Sequence, residues 1–194
     1  MNVLELFSGT GSVGKCCKVL GFNCISLDLD KRADIVCDIM DFDYKKYPKD
    51  YFGMIWASPP CDEYSIMNNC LPNKICDLEK ADKLVCKSLE IIDYFKPELW
   101  FIENPQTGKL KERPFMKDLP YYDLDYCMYG YYIRKRTRIW TNKKNWIALK
   151  CDKSCGRIID NKHPQFRYLN IPGIKRIDLR HTIPPDLIYS LILE

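Results

Sequence analysis

The sequence predicts an α/β protein built on a mostly parallel sheet with helices on both faces. Three observations carry this expectation. Short apolar runs of strand length recur at residues 2–7, 52–57 and 99–102. Stretches with helical periodicity fall between such runs. The 194 residues are 46% hydrophobic, enough for one domain with a good core.

The elements follow in order. Residues 2–7 read as a strand, 11–20 as a helix and 23–29 as a second strand. Ile35-Val36-Cys37 is short and strand-like. Residues 52–57 form an apolar run that ends at prolines, as a buried strand does. Leu78–Phe95 is the strongest helix: Leu78, Ala81, Val85, Leu89, Ile92 and Phe95 recur at three and four residues, and Pro97 stops it. Leu99-Trp100-Phe101-Ile102 is another buried strand. Residues 121–129 and 137–141 read as late strands. Residues 143–180 are rich in Lys, Asn, Asp and Pro and lack periodicity, which predicts an irregular excursion. Ile183-Pro184-Pro185-Asp186 then opens a closing helix over 187–193. The whole reads as a single domain, 1–194, with 143–182 as an irregular basic insertion.

No apolar stretch approaches the ~20 residues that span a bilayer. The start, Met-Asn-Val-Leu-Glu-Leu, has no basic n-region, so a signal peptide and a membrane role are not expected, and an intracellular protein is. Eleven cysteines are then expected to be reduced, most of them small buried apolar residues. Charge is asymmetric: residues 1–129 carry 16 Lys and Arg against 21 Asp and Glu, and residues 130–194 carry 14 against 5. A basic carboxyl-terminal third suits nucleic acid, and it also describes an ordinary solvated basic face. Trp146, Phe166, Tyr168, Arg157 and Arg167 lie there and suit backbone binding and stacking.

Chemistry concentrates in three segments. Cys61 ends Ala57-Ser58-Pro59-Pro60-Cys61, a proline-stiffened turn at a strand's carboxyl end, where α/β proteins bind ligands. Gly9, Gly11 and Gly14 fit G-x-G-x-x-G between a strand and a helix. Asp28 near a strand end would accept from ribose hydroxyls, and Asp38 from an adenine amino group; a cap or a turn would use the same carboxylates. Glu103 follows an apolar strand, where a carboxylate needs a partner: a ligand, or an ion pair. Cys151-Asp152-Lys153-Ser154-Cys155 with His163 downstream is loosely zinc-like, with a fourth ligand to come from Cys127 or His181. The favoured expectation is free thiols and no metal.

These segments together resemble the cytosine C5 DNA methyltransferases, most closely the short phage- and virus-type members. The match runs through about residues 2–142, with a weaker echo in the closing helix. Leu6-Phe7-Ser8-Gly9-Thr10-Gly11 is similar to the cofactor loop, Asp28-Leu29 to the ribose-binding acid and Asp38-Ile39 to the adenine-contacting pair. Ser58-Pro59-Pro60-Cys61 is similar to the nucleophile loop, Glu103-Asn104 to the catalytic glutamate, and Arg134-Lys135-Arg136-Thr137-Arg138 to the Gln-x-Arg-x-Arg segment. The resemblance implies a Rossmann-like fold, S-adenosyl-L-methionine as cofactor and methylation of cytosine in DNA. It implies Cys61, Glu103, Arg136 and Arg138 as catalytic residues, and Phe7, Gly9, Thr10, Gly11, Asp28, Leu29, Asp38, Ile39 and Pro59 around the cofactor. The family's large recognition domain is missing, so specificity would come from residues 143–182, a homodimer or an auxiliary subunit. Arg134 replaces Gln, Pro105 replaces a small β-branched residue, and Asp62-Glu63 follow Cys61, where two acids oppose thiolate formation. The family's final asparagine-containing cofactor segment has no clear counterpart. Alternatives are a non-catalytic nucleic-acid-binding protein of the same fold, and methylation of RNA or a nucleotide.

Overall fold

The computed structural model describes residues 1–66, 68, 75–165, 169 and 171–194. Phe166, Arg167 and Tyr168 lie outside the described residues. Seven strands form one sheet: β1 (Asn2–Leu6), β2 (Asn23–Asp28), β3 (Ile35–Val36), β4 (Met54–Ala57), β5 (Leu99–Pro105), β6 (Tyr121–Asp125) and β7 (Arg136–Thr141). Their order is β3-β2-β1-β4-β5-β7-β6. The pairs β1–β2, β2–β3, β1–β4 and β4–β5 are parallel; β7 runs antiparallel to both β5 and β6. The connections reverse direction between β1 and β4, so the carboxyl ends of these two strands frame a crevice.

Helices α1 (Ser12–Val19), α2 (Leu78–Phe95), α3 (Arg176–His181) and α4 (Pro185–Leu193) complete the fold. Strand alternation sorts the core into two layers. Leu4, Leu6, Ile55, Ala57, Ile102 and Trp140 pack with Ala81, Val85 and Ile91 of α2. Val3, Met54, Trp56, Phe101 and Ile139 pack with Val13, Cys16 and Cys17 of α1 and Leu187, Ile188 and Leu191 of α4. The helices therefore cover both faces, as the periodicity predicts. Asp77 caps α2 by accepting from Lys80 N at 2.9 Å, and Lys96 closes it in a left-handed conformation before Pro97. Pro184 and Pro185 open α4, where a missing N–H costs nothing.

Four expectations shift. The first strand stops at Leu6 because Phe7 takes a left-handed φ of 57°. The strand expected over 99–102 continues to Pro105, past the last β4 pair (Ala57 with Ile102), because β7 pairs with it as far as Thr137. The strand expected over 121–129 ends at Asp125; Tyr126–Tyr129 form a 3-10 turn closed by Gly130 at φ 76°. The insertion is irregular as expected but contains α3, whose Leu179 is buried and whose carbonyl accepts from the Tyr131 hydroxyl.

Among the described residues no helix is long and apolar enough to cross a membrane, and the described cysteines are unbridged.

Candidate active site

The glycine loop follows β1. Gly9 (φ 48°) and Gly11 (φ 66°) need glycine for their left-handed backbone, since a Cβ at either would meet nothing within 4 Å. Gly14 needs it for space: a Cβ there would lie 3.1 Å from Glu5 Oε2. Phe7, a bulky residue at positive φ, marks a strained joint at the same loop. Glu5, buried on β1, accepts from Val13 N at 3.1 Å and Gly14 N at 2.9 Å, so its carboxylate caps α1. Burial lifts the Glu5 pKa to about 7, against the pull of those two N–H groups. Thr10 Oγ1 pairs with Ser12 Oγ, which also accepts from Ile183 N at 3.1 Å and ties the loop to the start of α4.

Asp28 stands at the end of β2 as expected, and both its oxygens are engaged. Gly9 N donates to Oδ2 at 2.8 Å and Asp30 N to Oδ1 at 2.9 Å. The acid thus braces the glycine turn, with one lone pair left on each oxygen. Leu29 beside it is 71% exposed, an apolar side chain left uncovered. Asp38 Oδ1 caps the next turn through Met40 N, and Oδ2 has no partner among the described residues. Ile39 is buried in the α2-side core. A cavity of about 500 Å³ borders Gly9, Thr10 and Gly11; its other walls include Cys24, Ser26 and Asp34, not Cys61.

One strand over, Ser58 N donates to Leu6 O at 3.1 Å, which fixes the Cys61 loop beside the glycine loop. Pro59 is buried, and its carbonyl accepts from Asn104 Nδ2 at 2.9 Å. Asn104 therefore shapes the turn, and its buried Oδ1 has no partner among the described residues. Tyr64, three residues past Cys61, donates to Asp82 on α2, which Arg113 grips at 3.0 Å. The loop is held from both ends.

Glu103 lies on β5, one residue past the last pair with β4. It is 6% exposed. Its Oε1 accepts from the Tyr126 hydroxyl at 2.9 Å and from Lys135 Nζ at 3.2 Å. Oε2 has no partner among the described residues. Burial pushes the Cys61 thiol pKa up; Glu103 and Asp62 add to the rise, while Lys135 and Arg180 oppose it. These influences place Cys61 within electrostatic reach of Glu103 and Lys135. Glu63 is turned elsewhere, accepting from Asp77 N at 2.9 Å.

The arginines are not brought to Glu103. Register pairs Glu103 with Ile139 and Asn104 with Arg138, so alternation points Arg138 to the opposite face of the sheet. There its guanidinium forks onto Asp123 at 2.7 and 2.8 Å and stacks 3.5 Å from the Tyr121 ring centroid. Arg136 shares that alternation and is exposed. Arg134, at the position of the family's Gln, is forked onto buried Asp125 at 2.9 and 3.0 Å. Lys135 is the cation that meets Glu103. The same period-two rule would have singled it out, since it points away from its three arginine neighbours. Tyr126 and Glu5 carried no signal in the sequence.

The sheet order and the crevice at the strand ends define a Rossmann-like α/β fold of the kind methyltransferases use. Solved structures share this fold. The Entamoeba histolytica methyltransferase EhMeth superposes with a TM-score of 0.56 at 21% identity, over 79% of this chain and 57% of that one. The S. pombe Dnmt2 methyltransferase gives 0.51 at 15% identity, over 76% and 52%. The chain thus spans about half the length of these structures. No family model matches. A Frog virus 3 (isolate Goorha) protein named "Probable DNA (cytosine-5)-methyltransferase" is 35% identical, with 99% of each chain covered. The chain belongs to the cytosine-5 DNA methyltransferase family.

Proposed function

We propose that the whole chain is one catalytic domain that transfers a methyl group from S-adenosylmethionine to C5 of cytosine in DNA, with Cys61 as nucleophile. One observation carries the reading: the Cys61 loop follows β4, and Glu103 lies on the adjacent β5 one residue past the last β4 pair, beside a glycine turn at the point where the sheet's connections reverse. The residues present fit the cofactor. Gly9 and Gly11 leave open space, Asp38 Oδ2 is an unused acceptor, and Leu29 offers an uncovered apolar surface beside Asp28. Phe7, Thr10 and Pro59 line the same strand ends, whereas Ile39 is 2% exposed and offers a ligand little surface. When bound, S-adenosylmethionine supplies an electrophilic methyl group.

The Cys61 thiolate adds to cytosine C6, and the electron pair of the C5–C6 bond moves to C5, which becomes nucleophilic. Glu103 Oε2 is free to hold the N3 edge and share a proton with it, while Tyr126 and Lys135 fix Oε1. After C5 accepts the methyl group, a base removes its proton, the C5–C6 double bond re-forms and Cys61 is expelled. Because the resting thiol is hard to ionise, Lys135 and Arg180 are the groups that favour the nucleophilic form. Stacking covers the ring faces from which C6 is attacked and C5 is methylated, so a duplex target must be flipped out, at a cost of a few kcal/mol. Arg136 and the basic insertion are available for phosphates. Arg138, bound to Asp123, acts on catalysis only if substrate displaces that carboxylate. Sequence selectivity is assigned to residues 143–182, to a second copy or to an auxiliary subunit, and the protein acts inside the host cell.

The test is transfer of labelled methyl from S-adenosylmethionine to cytosine in duplex DNA, single-stranded DNA and RNA. Duplex DNA is the expected substrate, and Cys61→Ala is expected to abolish transfer. DNA carrying 5-fluorocytosine should trap the enzyme covalently through Cys61. Activity retained in Cys61→Ala would falsify the thiolate mechanism. Tight DNA binding without trapping would leave a nucleic-acid-binding protein instead.

A further inference from the structure

Cys127, Cys151, Cys155 and His163 come together on the side of the hairpin formed by β6 and β7. One ligand atom from each lies within 4.8 Å of every other. His163 Nε2 lies 3.6 Å from Cys127 Sγ, 3.3 Å from Cys151 Sγ and 3.4 Å from Cys155 Sγ. These distances are informative. Zinc–sulfur bonds of about 2.3 Å and zinc–nitrogen bonds of about 2.0–2.1 Å, set at tetrahedral angles, separate sulfur from nitrogen by about 3.5 Å. The three observed spacings bracket that figure. A ring nitrogen has a single lone pair or a single proton to share, so pairwise hydrogen bonding does not account for three thiols converging on it.

We propose that these four side chains bind one zinc ion as a closed Cys3His structural site. The surroundings are those of a built site. The loop that carries Cys151 and Cys155 is shaped by Asp152 Oδ1, which accepts from Ser154 N at 3.0 Å, and by left-handed turns at Lys153 and Gly156. Lys153 N donates to Cys151 Sγ at 3.3 Å, a contact that stabilises a metal-bound thiolate. Asp125 Oδ2 accepts from Cys151 N at 2.8 Å while Arg134 grips the same carboxylate. Cys127 and Cys151 are buried. Four protein ligands leave no open position, so the ion is structural and not catalytic. Binding displaces the thiol protons: each coordinating sulfur enters as thiolate, and the proton leaves to solvent. The ion ties the basic insertion to the turn that begins at Tyr126, the residue bonded to Glu103. It thereby braces the catalytic glutamate's partner.

The experiment uses the full chain, expressed with zinc in the medium and purified without chelator. Elemental analysis is expected to find about one zinc per chain. Cys155→Ser and His163→Ala should each lose most of it, whereas Cys86→Ser, remote from the cluster, should keep it. Cobalt(II) exchanged into the wild-type protein should give the intense visible bands of a tetrahedral thiolate site. This readout needs no substitution, so a variant that misfolds does not blur the result. Zinc-free wild-type protein, an octahedral cobalt spectrum, or a disulfide joining two of the three cysteines in freshly purified protein would each overturn the proposal. None of these readouts depends on methyl transfer.

Discussion

Glu5→Gln should flatten the pH dependence of stability in the weakly acidic range. Glu5 is 2% exposed on β1, with its carboxylate turned onto the first N–H groups of α1. Burial raises its pKa from 4.5 to about 7; the charge of Asp28 adds to the rise, while Val13 N, Gly14 N and Lys15 oppose it. A rise of that size corresponds to about 3 kcal/mol at about 1.36 kcal/mol per pKa unit. The folded chain holds a proton that the unfolded chain releases over this window. The contribution is therefore fully present below the unfolded value and is lost as pH rises through about 7. Urea denaturation at several pH values between about 4 and 8 measures it. Relative to the variant, the wild type should lose about 3 kcal/mol across the range, or about 6–12 °C in thermal midpoint for a chain of this size. The amide cannot ionise, so groups that titrate elsewhere cancel in the comparison. Parallel pH profiles for the two proteins would show that desolvation does not govern Glu5 and would refute the reasoning.

Three further outcomes are expected. Lys135→Met removes the cation 3.2 Å from Glu103 in a pair whose side chains are only 23% and 8% exposed. The Cys61 pKa should then rise, iodoacetamide should alkylate Cys61 more slowly at pH 8, and methyl transfer should fall by about tenfold or more. Asp62→Asn removes a charge that raises the Cys61 pKa, so alkylation at pH 8 should quicken by about two- to fivefold, an effect that vanishes at pH high enough to ionise both proteins. Arg138→Ala leaves Asp123 unpaired and uncovers Tyr121; urea denaturation should show a loss of about 1–3 kcal/mol. If that variant instead keeps its stability and loses turnover, Arg138 belongs to the catalytic machinery after all.

The local pieces of the site were legible in the sequence because each is encoded by neighbours. Glycines at positions 9 and 11 permit a left-handed turn, prolines stiffen the approach to Cys61, and apolar runs of strand length place both at carboxyl ends of buried strands. The bounds of α2 were legible for the same reason: its periodicity, its Asp77 cap and Pro97 all lie within or beside the segment. The reach of β5 was not, because Glu103–Pro105 join the sheet only through pairing with β7, some 35 residues downstream.

What the sequence determined by itself is the order of strand, turn and helix and the proline-stiffened loop that carries Cys61, since short-range sterics and hydrophobic period are properties of contiguous residues. Tertiary structure alone decided which side chains meet. Sheet register gives Glu103 to Lys135 rather than to Arg138, across a separation of 32 residues. The turn after β6 delivers Cys127 to His163, across 36. A one-residue slip in β7 would have reversed the first choice, because pleating sends alternate side chains to opposite faces; local alternation separates Lys135 from the arginines, and only pairing with β5 sets which face holds Glu103.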